Sequence, residues 1–200
     1  MATYASIKYD MDLSSSATGA GALTLLSTET ASSDATIDFT SGIDSTYKEY
    51  MFKFYDIHPA TDSVHFTFQA DTGTNTSYNQ TITSASFRAY NYESAGTPTV
   101  AYYANGDLAQ STSFHYLTSN AAVGDDNDQS FSGTLHLFDP SSTTFVKHFM
   151  CETNSYGPSN YTMRFHAAGY FNTTTAITRC RFKFNSGNID AGTFKLYGVS

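Results

Sequence analysis

Tryptophan is absent from this 200-residue chain, and cysteine and proline are scarce, with two and four copies. Charge is thin as well: Asp, Glu, Lys and Arg make up 14% of the residues, against about a quarter in an ordinary soluble domain. Each shortage excludes something. Two cysteines, Cys151 and Cys180, are too few for a disulfide framework. In a reducing cytosol both are expected as free thiols, which inside apolar strands behave as small hydrophobes. With ten Lys and Arg and a net charge of −8, no basic patch is expected to neutralise a phosphate backbone, so nucleic acid is not an expected partner. No run approaches the roughly eighteen apolar residues of a membrane span. The opening MATYASIKYDMDLSSS lacks the charged start and apolar block of a signal peptide.

What the chain does contain is Ser and Thr, 54 together, and aromatics, with 15 Tyr and 16 Phe. So many rings with so little charge exclude a disordered chain, and the length suits one large domain with a sizeable core. Residues 11–35 are built mostly of Ser, Ala, Thr and Gly, with a first strand possible around Leu23, Leu25 and Leu26. Nothing before that patch buries enough surface in isolation to offset the entropy of ordering. Residues 1–20 therefore read as an extended N-terminal arm and 21–200 as a single domain.

From about residue 36 the pattern takes period two, the mark of strands with one buried side. Phe52 and Phe54 oppose Lys53. Val64, Phe66 and Phe68 are predicted inward, with His65, Thr67 and Gln69 outward. Phe131, Leu135 and Leu137 alternate with Ser132, Thr134 and His136, and Tyr161, Met163, Phe165 and Ala167 with Thr162, Arg164 and His166. Cys180, Phe182 and Phe184 oppose Arg179, Arg181 and Lys183, while Phe194 and Leu196 oppose Lys195 and Tyr197. TTFVKHFMCE, from Thr143, is apolar on both sides, which suggests a central or interface strand. Turn-forming stretches such as His58-Pro59-Ala60-Thr61-Asp62, Asp139-Pro140-Ser141-Ser142 and Ser186-Gly187-Asn188 separate these runs. About nine or ten strands without helices imply an all-β, antiparallel two-sheet β-sandwich, jelly-roll-like. Residues 71–120 are the least regular and are expected to form long loops at one end.

Chemistry-bearing motifs are sparse. Six histidines (58, 65, 115, 136, 148, 166) show no metal-ligand spacing. His65, His136 and His166 fall on outward strand positions and would cluster only if their strands were neighbours. The acidic run Gly124–Asp128 lacks the register of a calcium loop and reads as an exposed turn. No G-x-S-x-G occurs, and the four Glu (29, 49, 93, 152) occupy no predicted inner groove. No catalytic residue, cofactor site or metal site is therefore expected. Tyr90, Tyr92, Tyr102 and Tyr103 are the candidate ligand or interface residues, placed in loops. Their rings would either stack on sugars or supply amphipathic contact between subunits.

The segments SGIDSTYKEYMFKFYDIHPATDSVHFTFQAD (41–71), GDDNDQSFSGTLHLFDPSSTTFVKHF (124–149) and FKFNSGNIDAGTFKLYGV (182–199), with GDLAQSTSF (106–114), resemble a family of small proteins of marine tailed bacteriophages. Proteins of that family are described as tail-fibre or virion structural components. The resemblance covers about residues 20–199 and supplies no catalytic residues. It implies a non-enzymatic protein of the particle surface, assembled in the host cytoplasm: a capsid decoration or cement protein, or a fibre-knob subunit. A homotrimer is expected, with residues 1–20 contacting other capsid or tail proteins. The alternative is a lectin-like tail-fibre module that binds host surface glycans.

Overall fold

Phe at every second position makes one side of a strand apolar, and two sheets so built close on each other. The computed structural model describes residues 22–119 and 123–200. It contains twelve strands: β1 (Leu23–Asp34), β2 (Ile37–Phe39), β3 (Glu49–Pro59), β4 (Phe66–Thr72), β5 (Ile82–Tyr92), β6 (Thr99–Tyr102), β7 (His115–Tyr116), β8 (Phe131–Phe138), β9 (Lys147–Gly157), β10 (Tyr161–Phe171), β11 (Ile177–Phe184) and β12 (Ile189–Val199). A single 3-10 turn, Ala104–Gly106, is the only helical element among the described residues. No helix there is long and apolar enough to cross a membrane. The expected two-sheet antiparallel β-sandwich forms; the arm expected over residues 1–20 lies outside the described residues.

The large sheet runs β1-β12-β3-β8-β9-β10-β5-β6 and the small sheet β2-β11-β4-β7, all neighbours antiparallel. The pairings nest. β1 pairs β12, β2 pairs β11, β3 pairs β8 and β4 pairs β7, as if one long hairpin had been rolled so that successive pairs alternate between sheets. The two pairs β5–β6 and β9–β10 interrupt this scheme and widen the large sheet past the edge of the small one. A bulge opposes β3 and β12: Gly192 takes φ 131° where the register shifts between Ala191 and Thr193, and a Cβ there would stand 2.6 Å from the Ile57 side chain. Only glycine fits both the backbone and the space.

Twelve of the sixteen Phe side chains lie in the core between the sheets. Phe52 and Phe54 of β3 meet Phe182 of β11 with ring centroids 5.1 and 5.2 Å apart, edge to face. Phe68 of β4 meets Phe149 of β9 at 5.0 Å. Such offset aromatic pairs contribute beyond the area they remove from water. The predicted inward residues of β3, β8, β10, β11 and β12 are buried, as period two requires.

Two expectations need correction. β4 is buried on both sides: Thr67 and Gln69, predicted outward, are covered. Gln69 donates to the carbonyls of Gln80, Thr112 and Ser113, so the irregular chain between β4 and β7 lies over that face. Residues 71–120 are not one stretch of long loops either, because they contain the eleven-residue β5 and the edge strand β6. The strand expected from Thr143 to be central or at an interface is central: β9 lies between β8 and β10, and it alternates cleanly, with Lys147 at the head of its inward row. Lys147 Nζ donates to the carbonyls of Phe145 and Thr173, at 2.7 and 3.1 Å.

Phe182→Ala or Phe66→Ala should destabilise the fold by about 3–5 kcal/mol, read from the urea midpoint of unfolding. An unchanged midpoint would mean that neither ring is shared between the sheets.

Candidate interaction surface

Alternation sends every second residue of β8, β9, β10 and β5 away from the core, and those side chains line a trench on the outward side of the large sheet. One end, of about 640 Å³, is lined by Ala85, Phe138, His148, Met150, Ala168 and Tyr170 together with neighbouring backbone. It continues past His136 and His166 to a polar half with Ser132, Thr134, Glu152, Asn154 and Arg164, and ends near Tyr92, Tyr156 and Thr162. The two halves differ in chemistry. In the polar half Arg164 pairs with Glu152, and Asn154 Nδ2 donates to Thr162 Oγ1 at 2.8 Å.

The register explains the apolar half. Leu25 stands opposite Tyr197, Tyr197 opposite Met51, Met51 opposite His136, His136 opposite Met150, Met150 opposite Ala168 and Ala168 opposite Ala85. These residues form one row across seven strands, on a side where a solvated sheet normally carries polar residues. Met150 is 55% exposed. In the adjoining row His166 stacks on Phe87 with centroids 4.8 Å apart, and Phe87 stands opposite Tyr102 at the β6 edge. Small side chains at Ala85 and Ala168 set the floor low between the larger Phe138, Tyr170 and Phe87.

The four candidate tyrosines do not form one platform, and they lie on or beside strands rather than in loops. Tyr90 and Tyr92 belong to β5, where both pack edge-on to Tyr161. Tyr103 is buried against Phe165, with the Arg88 guanidinium over its ring at 4.7 Å. Tyr102 faces the other way, 64% exposed, its hydroxyl bonded to Asp107.

The histidines separate too. His65 stacks on Tyr116 of the small sheet at 4.1 Å, while His136 and His166 flank β9 on the large sheet, His136 bonded to Glu49. Among the described residues no group of three or more His, Cys, Asp or Glu is placed to hold a metal ion. Gly124–Asp128 leads into a turn closed by the Gln129 N–H on the Asp126 carbonyl at 2.8 Å. Cys151 and Cys180 are free and buried, and burial pushes both thiols above the usual range.

Sequence reasoning missed the outward row because its members come from seven strands. Its one local signal was the two-sided apolar run around Met150. Buried Asp71 was missed as well; it accepts from the backbone N–H of Thr72 and Tyr78 and from Gln80 Nε2. No family model, curated protein or solved structure matches the chain.

His115 is fully buried, edge-on to Phe68 and Phe149. Burial lowers its pKa to about 4, offset in part by the Tyr116 backbone and Asp107. The unfolded ring, near 6.5, therefore holds more protons than the folded one between those values. Stability should fall as pH drops from about 6.5 to 4, by on the order of 3 kcal/mol in total, with no contribution above that window. His115→Leu should flatten the acid limb of a stability–pH profile; a limb as steep as the parent's would place the proton uptake elsewhere.

Proposed function

We propose that this chain is a structural subunit of a bacteriophage particle surface, a capsid decoration or fibre-knob protein that works through contacts rather than catalysis. The observation that carries this reading is apolar surface left on the outward side and free edge of the large sheet. Val100 is 77% exposed, Tyr102 64% and Phe87 49%, all on one side of β5 and β6. Exposed apolar clusters on a compact protein mark association surfaces, and a chain with only 14% charged residues has little to shield them.

Two further features support it. The nested pairing of β1 with β12, β2 with β11, β3 with β8 and β4 with β7 reads as a jelly roll carrying two inserted strand pairs, an architecture used by viral capsid and lectin domains. The likeness of residues 41–71, 124–149 and 182–199 to small virion proteins of marine tailed phages points the same way. In this reading the β5–β6 edge joins copies in a closed ring, which for the expected homotrimer is a ring about a threefold axis.

A second reading, host-glycan binding, draws on the polar half of the trench rather than on the four tyrosines. Glu152, Asn154 and Arg164 offer donors and acceptors side by side along its floor. A glycan array with an Asn154→Ala control tests it, and silence across the array removes it.

For the primary reading, light scattering should return three times the 21.8 kDa chain mass. Val100→Lys with Tyr102→Lys should reduce the particle to single chains with strand content intact. A parent protein that stays monomeric at micromolar concentration would sink the proposed trimer.

A further inference from the structure

The outward row of β9 reads His148, Met150, Glu152, Asn154 and Tyr156, because alternation leaves every second side chain on that side. These residues line the trench one after another, from its apolar end to its far end. The trench therefore follows a single strand, with the outward rows of β8 and β10 as its walls. At roughly 3.4 Å per residue, His148 to Tyr156 is about 27 Å of floor. We infer that the trench binds a linear, uncharged glycan lengthwise along β9, with sugar C–H faces against Met150 and Ala168 and hydroxyls toward Glu152, Asn154 and Arg164. This rests on the glycan reading of the polar half, to which it adds the length, direction and charge of the ligand.

Backbone pairing argues against a peptide, the other common linear occupant. β8, β9 and β10 each have hydrogen-bonded neighbours on both sides, so a peptide cannot be received along them as an added strand. Laid over Met150, Ala168 and Ala85, its own N–H and C=O groups would be desolvated and unpaired. A sugar ring carries no such groups on its faces: the C–H faces are apolar and the hydroxyls stand around the rim. The trench is divided the same way. Ala85 and Ala168 leave a low apolar floor beside the Tyr170 and Phe138 rings. Farther along, Glu152, Asn154 and Arg164 supply the few polar groups that fix a ligand's orientation.

Charge selects among glycans. Apart from histidines, the charged residues lining the trench are Glu152, Arg164 and, at the Tyr156 end, Glu93. Arg164 is paired with Glu152, and His166 Nδ1 stands 3.9 Å from the same carboxylate. No unpaired Lys or Arg remains among these residues to hold an acidic sugar, and Glu93 would repel one.

Isothermal titration of the full chain tests this with cello-, xylo-, manno- and malto-oligosaccharides, each as the di-, tetra- and hexasaccharide. Affinity for at least one series should rise about tenfold or more from di- to hexasaccharide. Ala168 stands opposite Met150, and Asn154 lies about 14 Å farther along β9. Ala168→Arg and Asn154→Ala should each weaken the hexasaccharide by at least about tenfold, with the far-ultraviolet strand signal unchanged. Affinity that does not grow with length, or that falls in only one variant, would confine binding to one short subsite. That result overturns the lengthwise site and leaves glycan recognition standing. Oligogalacturonides that bind more tightly than every neutral series would overturn the uncharged ligand. Silence from all the sugars, or capture of an alternating valine–threonine hexapeptide in their place, would remove the glycan reading and the lengthwise site with it.

Discussion

Phe182 holds the two layers in register. Its ring centroid lies between 5.1 and 6.3 Å from those of Phe39, Phe52, Phe54, Phe66, Phe68 and Phe194, drawn from both sheets. Without tryptophan, the contact between the two sheets around Phe182 is built from phenyl edges meeting phenyl faces. That geometry constrains rotation of one sheet against the other more than a purely aliphatic contact would, because the ring quadrupoles favour particular tilts. Loss of one central ring also leaves a hole that the surrounding rings fill poorly.

Spending the aromatic residues on the interior shapes everything outside it. The small sheet is four strands wide and the large one eight, so it cannot roof the inward side of β10, β5 and β6. The chain from Tyr103 to Leu117 does so instead. Tyr103 N donates to the Ser86 carbonyl, Leu108 N to Ser84 Oγ and Leu117 N to the Phe66 carbonyl, and Leu108 and Leu117 pack on the core. This irregular cover accounts for the polar residues buried on β4 and for the buried ring of His115. Roofed by chain of its own on the inward side, the widened sheet has its outward side and its β6 edge left uncovered. The trench and the uncovered β6 edge are thus two consequences of the same inserted strand pairs.

Burial pushes both thiols up and holds Lys147 Nζ against two carbonyls. The ion pairs Arg164–Glu152 and Lys48–Asp139 lie on exposed surface, where each contributes little to stability.

Much was legible from the amino-acid order alone. A period of two with Phe on one side determined the strands at 49–59, 131–138, 161–171, 177–184 and 189–199, the side of each that is buried, and the closing of two antiparallel sheets, because a strand's two sides are set by backbone geometry. It could not distinguish an exposed polar side from one covered by other chain, so Gln69, Asp71 and His115 went unrecognised; a polar residue covered in the fold looks the same in the sequence as one that faces water. Nor could it align Leu25, Tyr197, Met51, His136, Met150, Ala168 and Ala85, or set the four candidate tyrosines on different sides of the large sheet. Strand order and register decide those neighbours, and they are settled by how the whole interior closes, not by any segment of the chain.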